Sequence, residues 1–302
     1  MVLSQPLKTR PVQWLLFAVL ALCAGWASGN PSAPEPNPSA QRLRAKYSEL
    51  GPQLLDNQFQ RPLYLSSAES SRDLKGDIYA VVDYPFSTVN TALNNPAHWC
   101  DVMILHINVK YCHASSSKTG TILTINLGRN FDQPLADSYR NEFSYSTVIT
   151  SPDYFAVELG AETGPLGTHD YHIGLEAAPL KDGRTFLHFT YAYAFGVTGS
   201  LAMQGYLATL GRDKVGFTVM GRLPNGQPDY IHGVRGVLER NTMRYFLAID
   251  AYLAAISVAP EDRLELRLQK WYDSTELYAR QLHEVERVDY LEMKHREYLR
   301  QQ

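Results

Sequence analysis

The stretch GDIYAVVDYPFSTVNTALNNPAHWC, residues 76–100, decides the fold. It opens with a run rich in β-branched residues over 76–83, which is typical of a strand. After Pro85 the apolar residues recur every three to four positions, and this spacing indicates a helix. The residues Asn-Asn-Pro at 94–96 interrupt that helix, and a second short one carries Trp99. The sequence therefore predicts a strand followed by two short helices.

Downstream of these helices, six stretches combine β-favouring residues with alternating apolar and polar positions. Turn signals separate them, and Lys181-Asp182-Gly183 is the clearest turn, which indicates a hairpin between the last two strands. The predicted strands are 107–112, 121–127, 139–148, 154–161, 170–177 and 184–194.

From Val234 onward, the spacing of apolar residues changes from the alternation of strands to the spacing of a helix. Apolar residues over 237–256 fall on one helical face, whereas charged residues such as Glu239 and Arg244 lie mostly off it. This pattern predicts a long amphipathic helix that ends near Pro260.

Two further segments flank this helix. Residues 195–233 are rich in glycine and carry a turn signal over 224–228, which predicts either a mobile flap or a further hairpin. Residues 261–302 are densely charged with embedded apolar residues, and we expect one or two amphipathic helices there. We favour packing of these helices on the back of the domain, with an oligomer or partner contact as the alternative.

The order of these elements resembles the helix-grip architecture of START-like and Bet v 1-like domains, a superfamily that includes lipid carriers and aromatic polyketide cyclases. Residues 78–100 and the stretch ERNTMRYFLAIDAYL at 239–253 carry the resemblance, which spans 76–258. It implies an α+β fold in which a curved antiparallel sheet of about six to eight strands wraps a long C-terminal helix. Extra C-terminal amphipathic helices complete the predicted chain. The 195–233 segment and the charged extension depart from the family pattern.

The resemblance also implies a binding site, because such domains enclose an apolar cavity between sheet and helix. The residues that it suggests as cavity lining are Phe143, Tyr145, Leu187, Phe189, Tyr191, Tyr193, Phe246 and Ile249. Arg140 and His188 are candidates to orient a ligand headgroup, although exposure on the outside of the sheet is an equal alternative. Alternation alone does not tell which strand face points inward.

The leading hypothesis is therefore an exported, noncatalytic protein that binds or transports a lipid or other hydrophobic small molecule, with no cofactor. The first alternative is a cyclase- or hydrolase-like enzyme in which burial raises the pKa of a cavity carboxyl or a histidine acts as acid–base. Its carboxylate candidates are Glu142, Glu158 and Glu176. The second alternative is a structural component of an envelope complex, held through residues 261–302.

Other catalytic and metal motifs are weak in this sequence. Ser200 lacks the GxSxG elbow that would expose a nucleophile. On a strand, side chains three positions apart point to opposite faces, so His169 and His172 do not readily share one metal ion. We therefore expect no catalytic residue and no metal.

Two cysteines remain for the mature protein if an N-terminal signal is removed. Cys100 and Cys112, an isolated pair in an oxidising compartment, predict one disulfide. The neighbouring His98 and His113 make a zinc site conceivable, but the close ligand spacings that organise such sites are missing.

Residues 1–29 are predicted to be an export signal. A basic start, a short apolar run over 14–24 and small residues at 27–29 precede a cut before Asn30. Beyond the cut, we expect a Pro-rich tether, residues 30–39, and an N-terminal extension, residues 40–75. The predicted location is outside the cytoplasm, and more specifically the periplasm.

Composition limits the partners of the mature chain. Cleavage leaves 26 Lys and Arg against 31 Asp and Glu, a net charge of −5, with no basic stripe for nucleic acid. After cleavage, no apolar run reaches the roughly 18 to 20 residues that a membrane span needs. The expected partner is a hydrophobic small molecule or lipid, and a protein bound through 261–302 is a further candidate.

Overall fold

The computed structural model describes residues 37–128, 133–196 and 213–301, together with Met1, Gly199 and Gly205. Apart from Met1, the predicted signal lies outside the described residues, as do most of the predicted tether and Ser200. The chain divides into the units 1–35 and 36–302, and the described helices and strands belong to the second unit. Among the described helices, none combines the length and the apolar character needed to cross a membrane.

The described part of the chain contains the following α-helices and β-strands, each set numbered in chain order. The helices are α1 (Pro38–Glu49), α2 (Gly51–Leu55), α3 (Phe86–Leu93), α4 (Pro96–Met103), α5 (Gly233–Ala254), α6 (Arg263–Glu276), α7 (Ala279–Leu282) and α8 (Arg287–Leu299). The strands are β1 (Leu63–Glu69), β2 (Asp73–Val82), β3 (Val109–Ser117), β4 (Gly120–Leu127), β5 (Tyr139–Ser151), β6 (Tyr154–Thr163), β7 (Thr168–Pro179), β8 (Thr185–Phe195), β9 (Val219–Arg222) and β10 (Pro228–Tyr230).

Eight strands form one antiparallel sheet in the order β1-β2-β8-β7-β6-β5-β4-β3. The six predicted strands correspond to β3 through β8, and the turn at Lys181–Gly183 joins β7 to β8 as predicted. There Gly183 adopts a φ of 86°, and the Leu180 N–H donates to the Arg184 carbonyl oxygen at 2.8 Å. With α5 packed across the sheet, the predicted α+β helix-grip fold is confirmed.

Helix α5 lies on one face of the sheet, which we call the inner face, against β1 and β2. Gly76 in β2 makes this approach possible, because a Cβ atom there would stand 2.3 Å from the Thr242 Oγ1. The chain therefore needs glycine where the helix crosses the strand.

Helix α1 covers the opposite, outer face of the sheet. Its residues Ala40 and Leu43 are buried, and the Tyr47 ring lies 5.1 Å from that of Phe186 on β8. The helix begins within the predicted tether, where the Asn37 side chain accepts the Ser39 N–H at 2.8 Å and caps it.

The segment 40–75 is more than the extension predicted from the sequence. It supplies α1, α2 and the strand β1, which pairs with β2 along its whole length. The predicted domain boundary at residue 76 is therefore too late, since the sheet begins at Leu63.

Helix α5 is buried on its sheet-facing side and also on the side that faces away from the sheet, which we call its back. Glu239, Arg240 and Arg244, expected off the apolar face, are between 0% and 3% exposed. The helix also ends at Ala254 instead of near Pro260. The charged side of α5 is covered by other parts of the chain, so it is not the solvent face that its composition suggested.

Part of the glycine-rich segment is among the elements that cover α5. Strands β9 and β10 form a hairpin, in which the Leu223 N–H donates to the Gln227 carbonyl oxygen at 2.9 Å. Upstream of the hairpin, the backbone N–H groups of Phe217 and Thr218 donate to the Glu239 carboxylate at 2.6 and 2.9 Å. The further hairpin, one of the two alternatives, is present, and most of 197–212 lies outside the described residues.

The C-terminal helices pack on the domain itself. The Trp271 indole of α6 donates to the Arg244 carbonyl oxygen at 3.1 Å, and the Tyr290 hydroxyl of α8 donates to the Leu105 carbonyl oxygen at 2.9 Å. Both aromatic side chains belong to the main hydrophobic core. The extension is thus part of the fold, and a role in partner binding stays a prediction.

The predicted disulfide between Cys100 and Cys112 is confirmed. It joins α4 to β3, with 5.2 Å between the two Cα atoms. The bond fixes the second short helix to the strand at one edge of the sheet.

A fully buried charge cluster fastens α8 to the same region. The Lys294 ammonium donates to the carbonyl oxygens of His106 and Val109 at 2.7 and 2.8 Å, and to the Glu297 carboxylate at 2.7 Å. Lys110 approaches the other Glu297 oxygen at 3.0 Å. Two ammonium groups thus share one carboxylate, and burial lowers the pKa of Lys294 to about 8.

Replacing Gly76 with alanine tests the close contact between α5 and β2. We expect Gly76→Ala to lower the free energy of unfolding by about 1–3 kcal/mol, because the new methyl group overlaps the Thr242 side chain. Denaturant titration measures this loss. Gly51→Ala is the matched control, since a Cβ at Gly51 meets nothing within 4 Å. Equal stability of the two variants would contradict the contact.

The buried Lys294 predicts a stability that rises with pH. Its pKa is about 8 in the folded protein and near 10.5 in the unfolded chain, so the unfolded state holds the proton between these values. The free energy of unfolding should therefore gain about 1–2 kcal/mol between pH 8 and 9.5. Denaturant titrations at both pH values measure the gain. Lys294→Met should abolish it, whereas Lys270→Met, at an exposed position of α6, should retain it.

Candidate functional site

The structure brings the eight residues predicted to line a cavity into one hydrophobic core. Leu187, Phe189, Tyr191 and Tyr193 occupy alternate positions on the inner face of β8. Phe143 and Tyr145 on β5 join the same core, as do Phe246 and Ile249 on α5. Their predicted role in ligand binding stays a prediction, but their common location is established.

The middle of this interior is filled by side chains. Leu187, Phe189, Phe246 and Ile249 are 0% exposed. A side chain that lines a water-sized cavity keeps some accessible surface, and these four keep none. These four residues therefore do not border an open cavity.

Four tyrosines form a cluster at the end of β8, and we call Tyr171, Tyr191, Tyr193 and Tyr245 the tyrosine cluster. The Tyr191 ring lies 5.3 Å from Tyr245 on α5 and 5.6 Å from Tyr193. Tyr171 on β7 stacks on Tyr193 at 5.3 Å. These residues are 6–9% exposed, so the cluster keeps the small accessible surface that the middle of the interior lacks.

Three hydroxyls of the tyrosine cluster are available for hydrogen bonding. Tyr171 exchanges a hydrogen bond with the Thr168 hydroxyl at 2.8 Å. The hydroxyls of Tyr191, Tyr193 and Tyr245 have no hydrogen-bond partner among the described residues. Burial raises the pKa of each of these three far above its usual value, so all are protonated at neutral pH.

His106 closes one side of the tyrosine cluster. Its ring stacks on Tyr245 at 4.5 Å, and it is 2% exposed. Burial and the charges of Arg244 and Lys294 hold the pKa of His106 well below its usual value. Its Nδ1 accepts the Asn108 N–H at 3.1 Å, so in the neutral ring Nε2 carries the proton.

Sequence reasoning missed three members of this site. The sequence does hold a signal for two of them. Tyr171 lies between His169 and His172 at a predicted strand, and Tyr245 lies on the apolar face of the predicted long helix. His106 gave no signal, because it lies between elements and meets Tyr245 only in the folded chain.

Arg140 and His188 lie apart from the other predicted site residues, on the outer face of the sheet. The Arg140 side chain is 66% exposed and forms an ion pair with Glu142 at 2.9 Å. His188 alternates with Leu187 and Phe189 along β8 and points away from the interior. This placement gives no support to the headgroup role that the sequence suggested for the two residues.

His188 is the centre of a hydrogen-bond network beneath α1. Its Nδ1 lies 2.8 Å from Glu176 and its Nε2 lies 2.8 Å from Asp77. The Tyr154 hydroxyl donates to Glu176 at 2.5 Å, and the Tyr79 ring stacks on His188 at 4.1 Å. Burial alone would lower the pKa of His188, but the hydrogen bonds and charges of Asp77 and Glu176 outweigh it and raise the pKa.

The remaining acid–base candidates also lie outside the interior. Glu142 and Glu158 are exposed, and Glu176 belongs to the network on the outer face. His169 is half-buried at the rim of the sheet, and its Nδ1 lies 2.8 Å from the Asp170 carboxylate. The carboxylates named for the enzyme alternative therefore do not meet in a cavity.

The His188 network predicts a loss of stability as pH rises. Because its folded pKa is raised, the stability it contributes is fully present below about pH 6.5 and is lost as pH rises through the folded pKa. At pH 6, His188→Gln should cost about 1–3 kcal/mol and flatten this pH dependence. Thermal and denaturant unfolding measure both effects. His169→Gln is the control, and a similar loss in that variant would argue against the network.

Comparisons with known proteins give a likeness in fold. Neither the scan of protein-family models nor the search of curated proteins yields a match. Among solved structures, Ara h 8.0201 matches at 7% identity and a TM-score of 0.34, over 64% of this chain and 98% of that one.

Two further matches come from different functional classes. Norcoclaurine synthase from Thalictrum flavum matches at 14% identity and a TM-score of 0.32, over 48% of this chain and 93% of the synthase. Human StAR-related lipid transfer protein 5 matches at 10% identity and a TM-score of 0.31, over 56% of this chain and 89% of that protein. The likeness concerns fold alone and assigns no ligand or activity.

Proposed function

We propose that this protein binds a hydrophobic small molecule, a lipid or an aromatic compound, at the tyrosine cluster and releases it unchanged. The available hydroxyls of Tyr191, Tyr193 and Tyr245 are the observation that carries the proposal. Ligand sites combine mostly apolar walls with a few polar groups that fix orientation, and the cluster has this composition. A ligand with a carbonyl or hydroxyl group would accept hydrogen bonds from these donors.

The middle of the interior is filled by side chains, and this limits how a ligand can bind. Because Leu187 and Phe246 have no accessible surface, the ligand enters at the tyrosine end and moves the rings apart. Tyrosine side chains rotate about two bonds and expose both an apolar ring and a donor. This combination suits a ligand that is apolar over most of its surface.

His106 argues for binding without chemistry. A general base needs a free lone pair within reach of the substrate. The Nδ1 lone pair of His106 is occupied by the Asn108 N–H, and in the neutral ring the Nε2 atom carries the proton and has no lone pair to offer. In this arrangement His106 supports the Tyr245 ring and does not remove a proton.

The same proposal assigns this binding activity to the periplasm, outside the cytoplasm, on the basis of the predicted export signal. An aqueous compartment is where apolar molecules need a carrier. The disulfide between Cys100 and Cys112 agrees with an oxidising location.

An uncharged fluorescent naphthalene ketone, prodan, tests the proposed site. Its carbonyl oxygen accepts a hydrogen bond, and its emission shifts to the blue in apolar surroundings. We expect saturable binding to the wild-type protein and a roughly five- to tenfold weaker affinity in Tyr191→Phe, which removes one donor and keeps the ring.

Tyr64→Phe is the matched control, because Tyr64 packs with α1 in the outer-face cluster. Native mass spectrometry after mild purification adds a test for a copurified apolar molecule. Equal prodan affinity in Tyr191→Phe and Tyr64→Phe, with no copurified molecule, would overturn the proposal.

A further inference from the structure

An open cavity lies away from the tyrosine cluster, between α3 and the junction of α5 and α6. It is a groove of about 400 Å³. Its lining combines two arginines, hydroxyl groups and apolar side chains. The residues that line it are Ser87, Thr88, Thr91, Ala92, His98, Tyr252, Ile256, Arg263 and Arg267.

Arg263 presents an unpaired positive charge to this groove. Its Nε donates to the Val258 carbonyl oxygen at 3.0 Å, which holds the guanidinium group in place. Its two terminal nitrogens have no hydrogen-bond or ion-pair partner among the described residues. The group is therefore oriented by the backbone while two of its nitrogens remain free to bind an anion.

Arg267 forms a fixed wall next to Arg263. Its guanidinium group donates to the Asp101 carboxylate at 2.9 Å and lies 4.3 Å from the centre of the Tyr252 ring. Its side chain is 7% exposed. Because Asp101 neutralises Arg267, the net charge of Arg263, Arg267 and Asp101 together is +1.

The opposite wall of the groove is one side of α3. Ser87 and Thr91 are four residues apart and therefore neighbours on the helix surface, with Thr88 beside them. The three hydroxyls make no hydrogen bond to the rest of the described chain. Ala92 and Ile256 supply apolar surface, and the Tyr252 ring adds an aromatic one.

We propose that this groove is a separate binding site for an amphiphilic monocarboxylate. The carboxylate pairs with the free terminal nitrogens of Arg263, since the planar guanidinium group matches the geometry of a carboxylate. Hydroxyls of α3 donate to the same group, and the apolar part of the ligand lies on Tyr252 and Ile256. A net charge of +1 favours a monoanion over a doubly charged phosphate ester. This inference does not depend on the function proposed for the tyrosine cluster.

Decanoate, used below its critical micelle concentration, is the probe for this site. Isothermal titration calorimetry should show saturable binding to the full-length protein, at least tenfold weaker in Arg263→Met. That substitution removes the charge and retains an apolar side chain. Arg296→Met, at an exposed position of α8, is the matched control and should bind as the wild type does. Binding of uncharged decanol should not depend on Arg263.

Two further variants test whether decanoate binds in the groove and whether this binding is independent of the tyrosine cluster. Thr91→Trp changes an exposed position of α3, so it leaves the core intact while it fills the groove, and it should abolish the Arg263-dependent binding. Tyr191→Phe should leave decanoate binding unchanged even if the tyrosine-cluster proposal fails. Decanoate affinity that is the same in Arg263→Met and wild type, or the absence of saturable binding, would overturn the inference.

Discussion

The burial of helix α5 on both sides is the constraint on which the rest of this structure depends. An amphipathic helix gripped by a sheet needs only one apolar face, yet the back of α5 carries Glu239, Arg240 and Arg244 inside the protein. A buried charge is costly unless hydrogen bonds and opposite charges replace its hydration. The elements that cover the back of α5 must therefore supply polar partners as well as apolar contacts.

Strand β1 and the segments 195–233 and 261–302 supply partners for Glu239 and Arg244. The Glu239 carboxylate accepts hydrogen bonds from the Ser67 hydroxyl on β1 at 2.5 Å and from the Thr218 hydroxyl at 2.6 Å, in addition to two backbone N–H groups. Arg244 donates to the Leu282 carbonyl oxygen at 3.2 Å and to Glu284 at 2.7 Å. Residues 195–233 and 261–302 thus supply part of the polar environment of α5.

The sequence predicted well those strands and helices whose pattern lies within their own residues. Alternation and turn residues located β4 through β8 to within about three residues, and apolar spacing after Pro85 located α3. Strand β1 went unpredicted because its central Ser66 and Ser67 give it a weak β pattern; it is held by pairing with β2. The back of α5 was misjudged because charged helix positions usually face water, and the residues that cover it lie far along the chain.

The candidate site, like the fold, was predicted only in part from local sequence patterns. Alternation grouped Leu187 with Tyr191 and set His188 apart, but it could not tell which group faced α5. The fold decides this by placing β8 beside β2, where α5 lies against the inner face. The tyrosine cluster also needs contacts between β7, β8 and α5, and no short segment of sequence contains them.

The position of α8 has a consequence for the solubility of the protein. Strand β3 is an edge of the sheet, and an open edge can pair with a strand of another chain and start aggregation. Here the Cys112 N–H donates to the Gln301 side-chain oxygen at 2.8 Å, and Lys294 occupies the Val109 carbonyl oxygen. The C-terminal extension therefore occupies hydrogen-bonding groups of the edge strand that a second molecule would otherwise use.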